Sequence, residues 1–175
     1  MYSFNLRNNV NSQGITAHRY EVTPARRALL NTIRYAEGTW RGGKALGYRT
    51  LYGGGLFGDL SRHPNKVIVM RYASAAAGAY QFIPSTWSAV SNELKLASFE
   101  PQNQDQAALH LIRRRGVLDE IDTRGLTSFA ISRLSPEWAS FPNKAGVSAY
   151  GQPAKSQGDL ANFYKDNLRQ LKEGA

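Results

Sequence analysis

The sequence predicts an α+β domain, with one small sheet near the start of the chain and helices making up the rest. Three observations carry this reading. Apolar residues recur at helical spacing early, at Leu29, Leu30, Ile33 and Ala36, and again at the end, at Leu160, Phe163, Tyr164, Leu168 and Leu171. Between them, from Thr39 to about Met70, the chain is glycine-rich and β-prone. From Ala73 onward helical patterns dominate. A sheet first and helices later means a sheet set to one side as a lobe. At 175 residues the chain forms one domain, or one core split into two lobes.

Taken in order, residues 1–22 read as an N-terminal extension. They contain Asn and Ser with scattered hydrophobics such as Phe4 and Val10, suiting a mobile arm or a short strand packed on the body formed by 23–175. Thr23 followed by Pro24 starts a helix, because the hydroxyl caps and the proline ring suits the first helical position. This helix runs to Glu37, and Gly38 ends it. Tyr48 to Tyr52 alternates weakly, Gly53-Gly54-Gly55 turns, and Leu56-Phe57 follows, which predicts a hairpin or three-stranded sheet with a loop through His63-Pro64. Residues 75–81, small and then aromatic, suit close packing. Further helices are expected over 84–96, 102–115 (stopped by Gly116), 117–121 and 126–134. Ser135-Pro136 starts a turn leading to Trp138, residues 141–153 form a Gly- and Pro-containing loop, and the last amphipathic helix closes the chain.

The net charge of +9 calls for a polyanionic partner: nucleic acid, an anionic membrane face or an acidic polymer such as a bacterial cell wall. The densest clusters, Arg26-Arg27 and Arg113-Arg114-Arg115, lie on expected helices and read first as solvated faces. No apolar run is long enough to span a membrane, and the polar N-terminus lacks the core of a secretory signal. With no cysteine, thiol catalysis and disulfides are excluded, which fits a protein made in a cytosol.

Several chemistries fail on spacing. Gly38 to Lys44 has the glycines and lysine of a phosphate loop, but Ala45 stands where Ser or Thr must hold magnesium, and a helix precedes it instead of a strand. Gly53 to Gly58 fits a GxGxxG count, yet no helix opens there and a hairpin turn accounts for it. His18, His63 and His110 share no metal-ligand spacing, although His63 is placed to line a cleft. There is no Gly-x-Ser-x-Gly elbow, and the acids at 119–122 lack a calcium loop's pattern.

Glu37 remains. It lies one turn beyond Ile33, continuing the apolar stripe, and at the negative end of the helix dipole. Both placements favour the protonated carboxyl that a general acid needs. The ordinary alternative is a solvated glutamate, or one paired with Arg34 or Arg41. The chain also holds nine Tyr, three Trp and seven Phe. Several fall beside amides in expected loops, as at Tyr80-Gln81, Trp138 and Tyr150-Gly151-Gln152, a suitable inventory for sugars; Phe82, Trp87, Phe129 and Phe163 are expected in the core.

Glu37-Gly38-Thr39, then Gly54-Gly55-Leu56-Phe57 with Asp59 and His63-Pro64, then Gly78-Ala79-Tyr80-Gln81, Trp138-Ala139-Ser140 and Tyr150-Gly151-Gln152 follow one another in an order that resembles the phage lambda endolysin family over about residues 24–170. The segment from Gly78 to Trp87 is also similar to the Gly-Leu-Met-Gln region of soluble lytic transglycosylases and goose-type lysozymes. The resemblance implies a lysozyme-like fold of two lobes with a substrate cleft between them. It implies cleavage of the MurNAc–GlcNAc β-1,4 bond of peptidoglycan, with 23–175 as the catalytic domain. Glu37 falls on the catalytic glutamate; Asp59, Tyr80, Gln81, Tyr150 and Gln152 fall on positions of the saccharide site. No metal or cofactor is implied. The expected partner is the glycan strand, with no nucleic acid and no stable membrane insertion. The expected protein is a monomeric phage lysin, made in the host cytoplasm and dependent on a holin to reach the periplasmic wall. The resemblance further implies a lytic transglycosylase giving 1,6-anhydromuramic ends. Two alternatives stand beside it: a hydrolytic muramidase using Glu37 with Asp59, and a non-catalytic wall-binding or virion structural protein. Departures from the family pattern are Gly55 in place of a glutamate, a longer stretch between Trp138 and Tyr150, and residues 1–22, which have no counterpart.

Overall fold

The computed structural model describes residues 19–175, so most of the expected extension lies outside the described residues. Among the described residues six α-helices form the body: α1 (Pro24–Ala36), α2 (Pro84–Leu94), α3 (Pro101–Arg114), α4 (Leu118–Arg124), α5 (Ser128–Leu134) and α6 (Gln157–Glu173). A two-stranded antiparallel sheet, β1 (Ile68–Val69) and β2 (Ala73–Ser74), makes the side lobe, pairing Ile68 with Ser74 and Val69 with Ala73.

Helix α1 forms where its caps and periodicity place it. Thr23 Oγ1 accepts the Arg26 N–H at 3.3 Å, Pro24 opens the first turn, and the Glu37 N–H closes the last on Ile33 O at 2.9 Å. Its buried face, including Leu29, Leu30 and Ile33, packs chiefly against α6. A buried amide pair, Asn31 Nδ2 donating to Asn167 Oδ1 at 2.9 Å, fixes the register between these helices. The core continues through Leu109, Ile112, Ile131, Leu134 and Leu160, all fully buried. Ahead of α1, Tyr20 is buried on the body. Its backbone pairs with the Gln106 amide, and its hydroxyl lies 2.7 Å from His110 Nδ1.

The expected strand from Tyr48 to Tyr52 is not formed. The region is a run of tight 3-10 turns at Arg41–Gly43, Ala45–Arg49 and Tyr52–Gly54, and only single bridges join Thr50 to Leu56 and Leu51 to Ala77. Tertiary contacts override the weak alternation. Gly47 passes so close to the end of α1 that a Cβ there would lie 2.1 Å from Thr39 O. Tyr48 turns inward to a buried carboxylate while Leu46 faces solvent. The sheet forms instead at 68–74, and residues 75–83 are bridges and turns, so the helical run begins at Pro84 and not at Ala73. Phe129, expected in the core, is 53% exposed, because seven-residue α5 buries Ala130, Ile131 and Leu134 on its other side.

Candidate active site

Glu37 sits where α1 stops, with Gly38 following at φ 76°, a left-handed conformation that glycine accommodates freely. It lines a cleft of about 420 Å³ between the sheet lobe, which contributes Tyr52 and Tyr72, and the helical body, which contributes Trp138 and Tyr150. The Glu37 side chain keeps some surface open to this cleft, while its carboxyl group lies deep among protein atoms. Burial pushes its pKa up to about 7, and a hydrogen bond from Ser140 Oγ to Oε1, at 2.5 Å, pulls the other way. Neither expected arginine neutralises it. Arg34 is buried between the Trp40 and Tyr48 rings and donates to Trp40 O and Lys44 O, while Arg41 donates to Gly54 O. The salt bridges among the described residues all involve other carboxylates. Glu37 is therefore a carboxyl that holds its proton near neutral pH and has open space in front of it, as proton donation to a bound ligand requires.

The opposite wall is the turn 78–82, and the body grips it from several sides. Thr39 Oγ1 donates to Ala79 O at 2.5 Å, the Ala79 N–H donates to Gln104 Oε1 at 2.8 Å, and Trp138 Nε1 donates to Tyr80 O at 3.0 Å. Gln81 adopts a left-handed φ of 49° and donates its amide to Thr50 O and Gly78 O at 3.1 and 2.9 Å. Beneath the turn, Asp105 accepts from the Tyr48 and Tyr80 hydroxyls at 2.8 and 2.5 Å and pairs with Arg27 at 2.8 Å. This buried cluster ties α1, α3 and both lobes together. Removing one member would leave an uncompensated polar group inside.

The structure distributes the expected site residues unevenly. Glu37, Tyr80, Gln81, Tyr150 and Gln152 all line the cleft. Tyr150 is 60% exposed, and its hydroxyl donates to Pro136 O at 2.6 Å. Tyr80 is fully buried with its hydroxyl taken by Asp105, so it supports the cleft wall and does not offer a polar head to a sugar. Asp59 is not among the cleft-lining residues. Its exposed side chain accepts the Ser61 N–H at 2.8 Å and lies 4.0 Å from Arg62, contacts that hold its pKa low. His63 is likewise away from the cleft. It is buried, with Nε2 on Phe82 O and Nδ1 accepting the Asn65 N–H, which fixes a neutral tautomer. Two contributors carry little sequence signal. Ser140 is 103 residues from Glu37 and belongs to no spacing pattern, and Glu137, which lines the cleft while paired with Arg115 at 2.7 Å, looks like any helix-end acid.

Comparison with known proteins gives a consistent picture. The Endolysin family profile matches residues 27–171. The endolysin of Escherichia phage lambda is 39% identical over 151 residues, covering 83% of this chain and 92% of that protein. The endolysin of Escherichia phage P2 is 37% identical over 117 residues, covering 63% and 68%. A solved structure of bacteriophage lambda lysozyme complexed with a chitohexasaccharide superposes with a TM-score of 0.77 at 37% identity, covering 85% of this chain and 96% of that one. Another structure of lysozyme from bacteriophage lambda gives 0.69 at 33% identity. The fold is thus the lysozyme-like α+β arrangement, and the chain belongs to the endolysin family.

Proposed function

We propose that this protein cleaves the MurNAc–GlcNAc β-1,4 bond of peptidoglycan as a lytic transglycosylase during phage lysis of the host. The observation that carries the proposal is the state of Glu37: a carboxyl that holds its proton near neutral pH at the wall of a cleft, in no salt bridge among the described residues. In the first half of the reaction Glu37 donates that proton to the glycosidic oxygen as the bond to the muramic anomeric carbon breaks. In the second half the Glu37 carboxylate accepts the proton of the muramic 6-hydroxyl, whose oxygen closes on the anomeric carbon. The products are a strand ending in 1,6-anhydromuramic acid and a strand with a free 4-hydroxyl, and Glu37 ends as it began. The nucleophile belongs to the ring it attacks, so no second carboxylate has to activate water. The placement of the other acids favours this economy. A hydrolase of this type sets two carboxyl groups across the scissile bond, whereas Asp59 stands outside the cleft lining and Glu137 is engaged by Arg115.

Binding of the strand is assigned to Gln81, Tyr150 and Gln152, with Tyr52 and Tyr72 on the facing lobe. The glycan-bound state of the lambda relative supports a saccharide in the corresponding cleft. Net charge of +9 concentrates the enzyme on an anionic wall. No helix among the described residues is long and apolar enough to cross a membrane, and a holin is the proposed route to the wall. The test is release of soluble fragments from purified sacculi. Glu37→Gln is expected to abolish release and Asp59→Asn to reduce it modestly. Equal loss in both variants would contradict the single-carboxylate assignment.

A further inference from the structure

A second groove, of about 630 Å³, adjoins the cleft and meets it at Pro136, which lines both. Its walls carry Arg115, Phe129, Arg133, Asn143 and Lys144, and no carboxylate lines it. Arg133 donates through Nε and Nη2 to Arg115 O at 3.2 and 3.1 Å, which holds its guanidinium at the end of α3. Lys144 rides on a closed turn, because Asn143 Oδ1 accepts the Ala145 and Val147 N–H groups and Pro142 bridges to Ser148. Arg115 is committed to Glu137, but Arg133 and Lys144 have no carboxylate partner among the described residues. Exposed Phe129 supplies an apolar wall to the same groove. Two unneutralised cations beside an aromatic surface suit a short chain that carries carboxylates on small apolar residues.

We propose that this groove binds the stem peptide of the muramic acid held in the neighbouring cleft, through its carboxylates. The proposal rests on the reading that the cleft takes peptidoglycan. In that polymer each muramic acid bears a short acidic peptide on its lactyl ether, and the peptide has to leave the cleft beside its sugar. The groove opens there, across the wall formed by Pro136. One loop, 141–153, presents Lys144 to the groove and Tyr150 and Gln152 to the cleft, and the Tyr150 hydroxyl donates to Pro136 O. Sugar and peptide contacts are thereby built into a single segment. A strand stripped of peptide keeps only the lactyl carboxylate at the sugar itself and lays no carboxylate along the groove, so the groove selects substituted strands.

The experiment compares kcat/KM on peptide-bearing glycan strands with that on strands stripped of peptide by an amidase. It uses the full chain and two variants, Lys144→Gln and Lys144→Gln/Arg133→Gln. Wild type is expected to prefer peptide-bearing strands. The preference should fall roughly two-fold in the single variant and roughly five-fold or more in the double variant, the size of one and two solvent-screened ion pairs. The change should appear in KM, with kcat nearly constant. Arg133 also tethers the end of α3, so Lys144→Gln, altered only at an exposed turn, provides the readout that a folding defect would not mimic. An unchanged preference in Lys144→Gln and the double variant overturns the proposal. So does an equal loss on both substrates, which would mean that the cations sense general wall charge. Failure of wild type to cleave either substrate would overturn the reading of the cleft itself, and the stem-peptide assignment with it.

Discussion

Replacing Glu37 with Gln should make the protein more stable, and increasingly so as pH rises. Burial lifts the carboxyl from an ordinary 4.5 to about 7 in the folded state. Between those values the unfolded chain has released a proton that the folded chain retains. The stability associated with the neutral carboxyl is therefore complete below pH 4.5 and is lost as pH passes through about 7. A displacement of this size corresponds to about 3 kcal/mol, and solvent at the cleft mouth reduces it to about 2 kcal/mol. Gln keeps the side-chain volume and an oxygen to accept from Ser140 Oγ, so the comparison isolates the charge. For a chain of this length about 2 kcal/mol shifts the melting temperature by about 4–8 °C. Thermal unfolding of wild type and Glu37→Gln, followed by circular dichroism, should show nearly equal midpoints at pH 5. At pH 8 the variant should melt about 4–8 °C higher. A gap that does not widen between the two pH values would refute the argument that burial keeps Glu37 protonated.

Other consequences follow from the same geometry. Ser140→Ala removes the bond that favours the ionised carboxyl, so the alkaline limb of kcat/KM should move to higher pH; an unmoved limb would mean that Ser140 does not act on Glu37. Gly78→Ala places a Cβ 2.3 Å from Gln104 Oε1 at a backbone φ of 82°, and should lower stability by about 2–4 kcal/mol in urea titrations; a wild-type midpoint would show that the turn can relax. Tyr150→Ala should weaken turnover on long strands with little change in melting temperature, because its ring is exposed on a loop; early melting with normal turnover per folded molecule would contradict this.

What could be read from the sequence depended on how locally each feature is determined. Helix α1 and the inward placement of Glu37 follow from a cap, a proline, a periodic face and a glycine, all within sixteen residues of chain. The region around Tyr48 carries no such local signal, because its turns are set by the approach of Gly47 to Thr39 and by the bond from Tyr48 to Asp105, 57 residues away. For the same reason the sequence places Tyr80 on the cleft, where it lies, but gives no sign that its hydroxyl is buried on the distant Asp105. Phe129 shows the reverse case, an aromatic that reads as core and lies on the surface because α5 turns Ala130, Ile131 and Leu134 inward and Phe129 to the other side. Ser140, which donates to the Glu37 carboxyl, stands in the sequence only as the end of the Trp138-Ala139-Ser140 match, and nothing local points to a partner 103 residues away.

Mass spectrometry of the fragments that the wild-type enzyme releases from purified sacculi shows whether one carboxyl and the substrate's own hydroxyl suffice. The expected fragments lack the mass of one added water and end in 1,6-anhydromuramic acid. Fragments carrying the added water, with reducing ends, would contradict the single-carboxylate assignment.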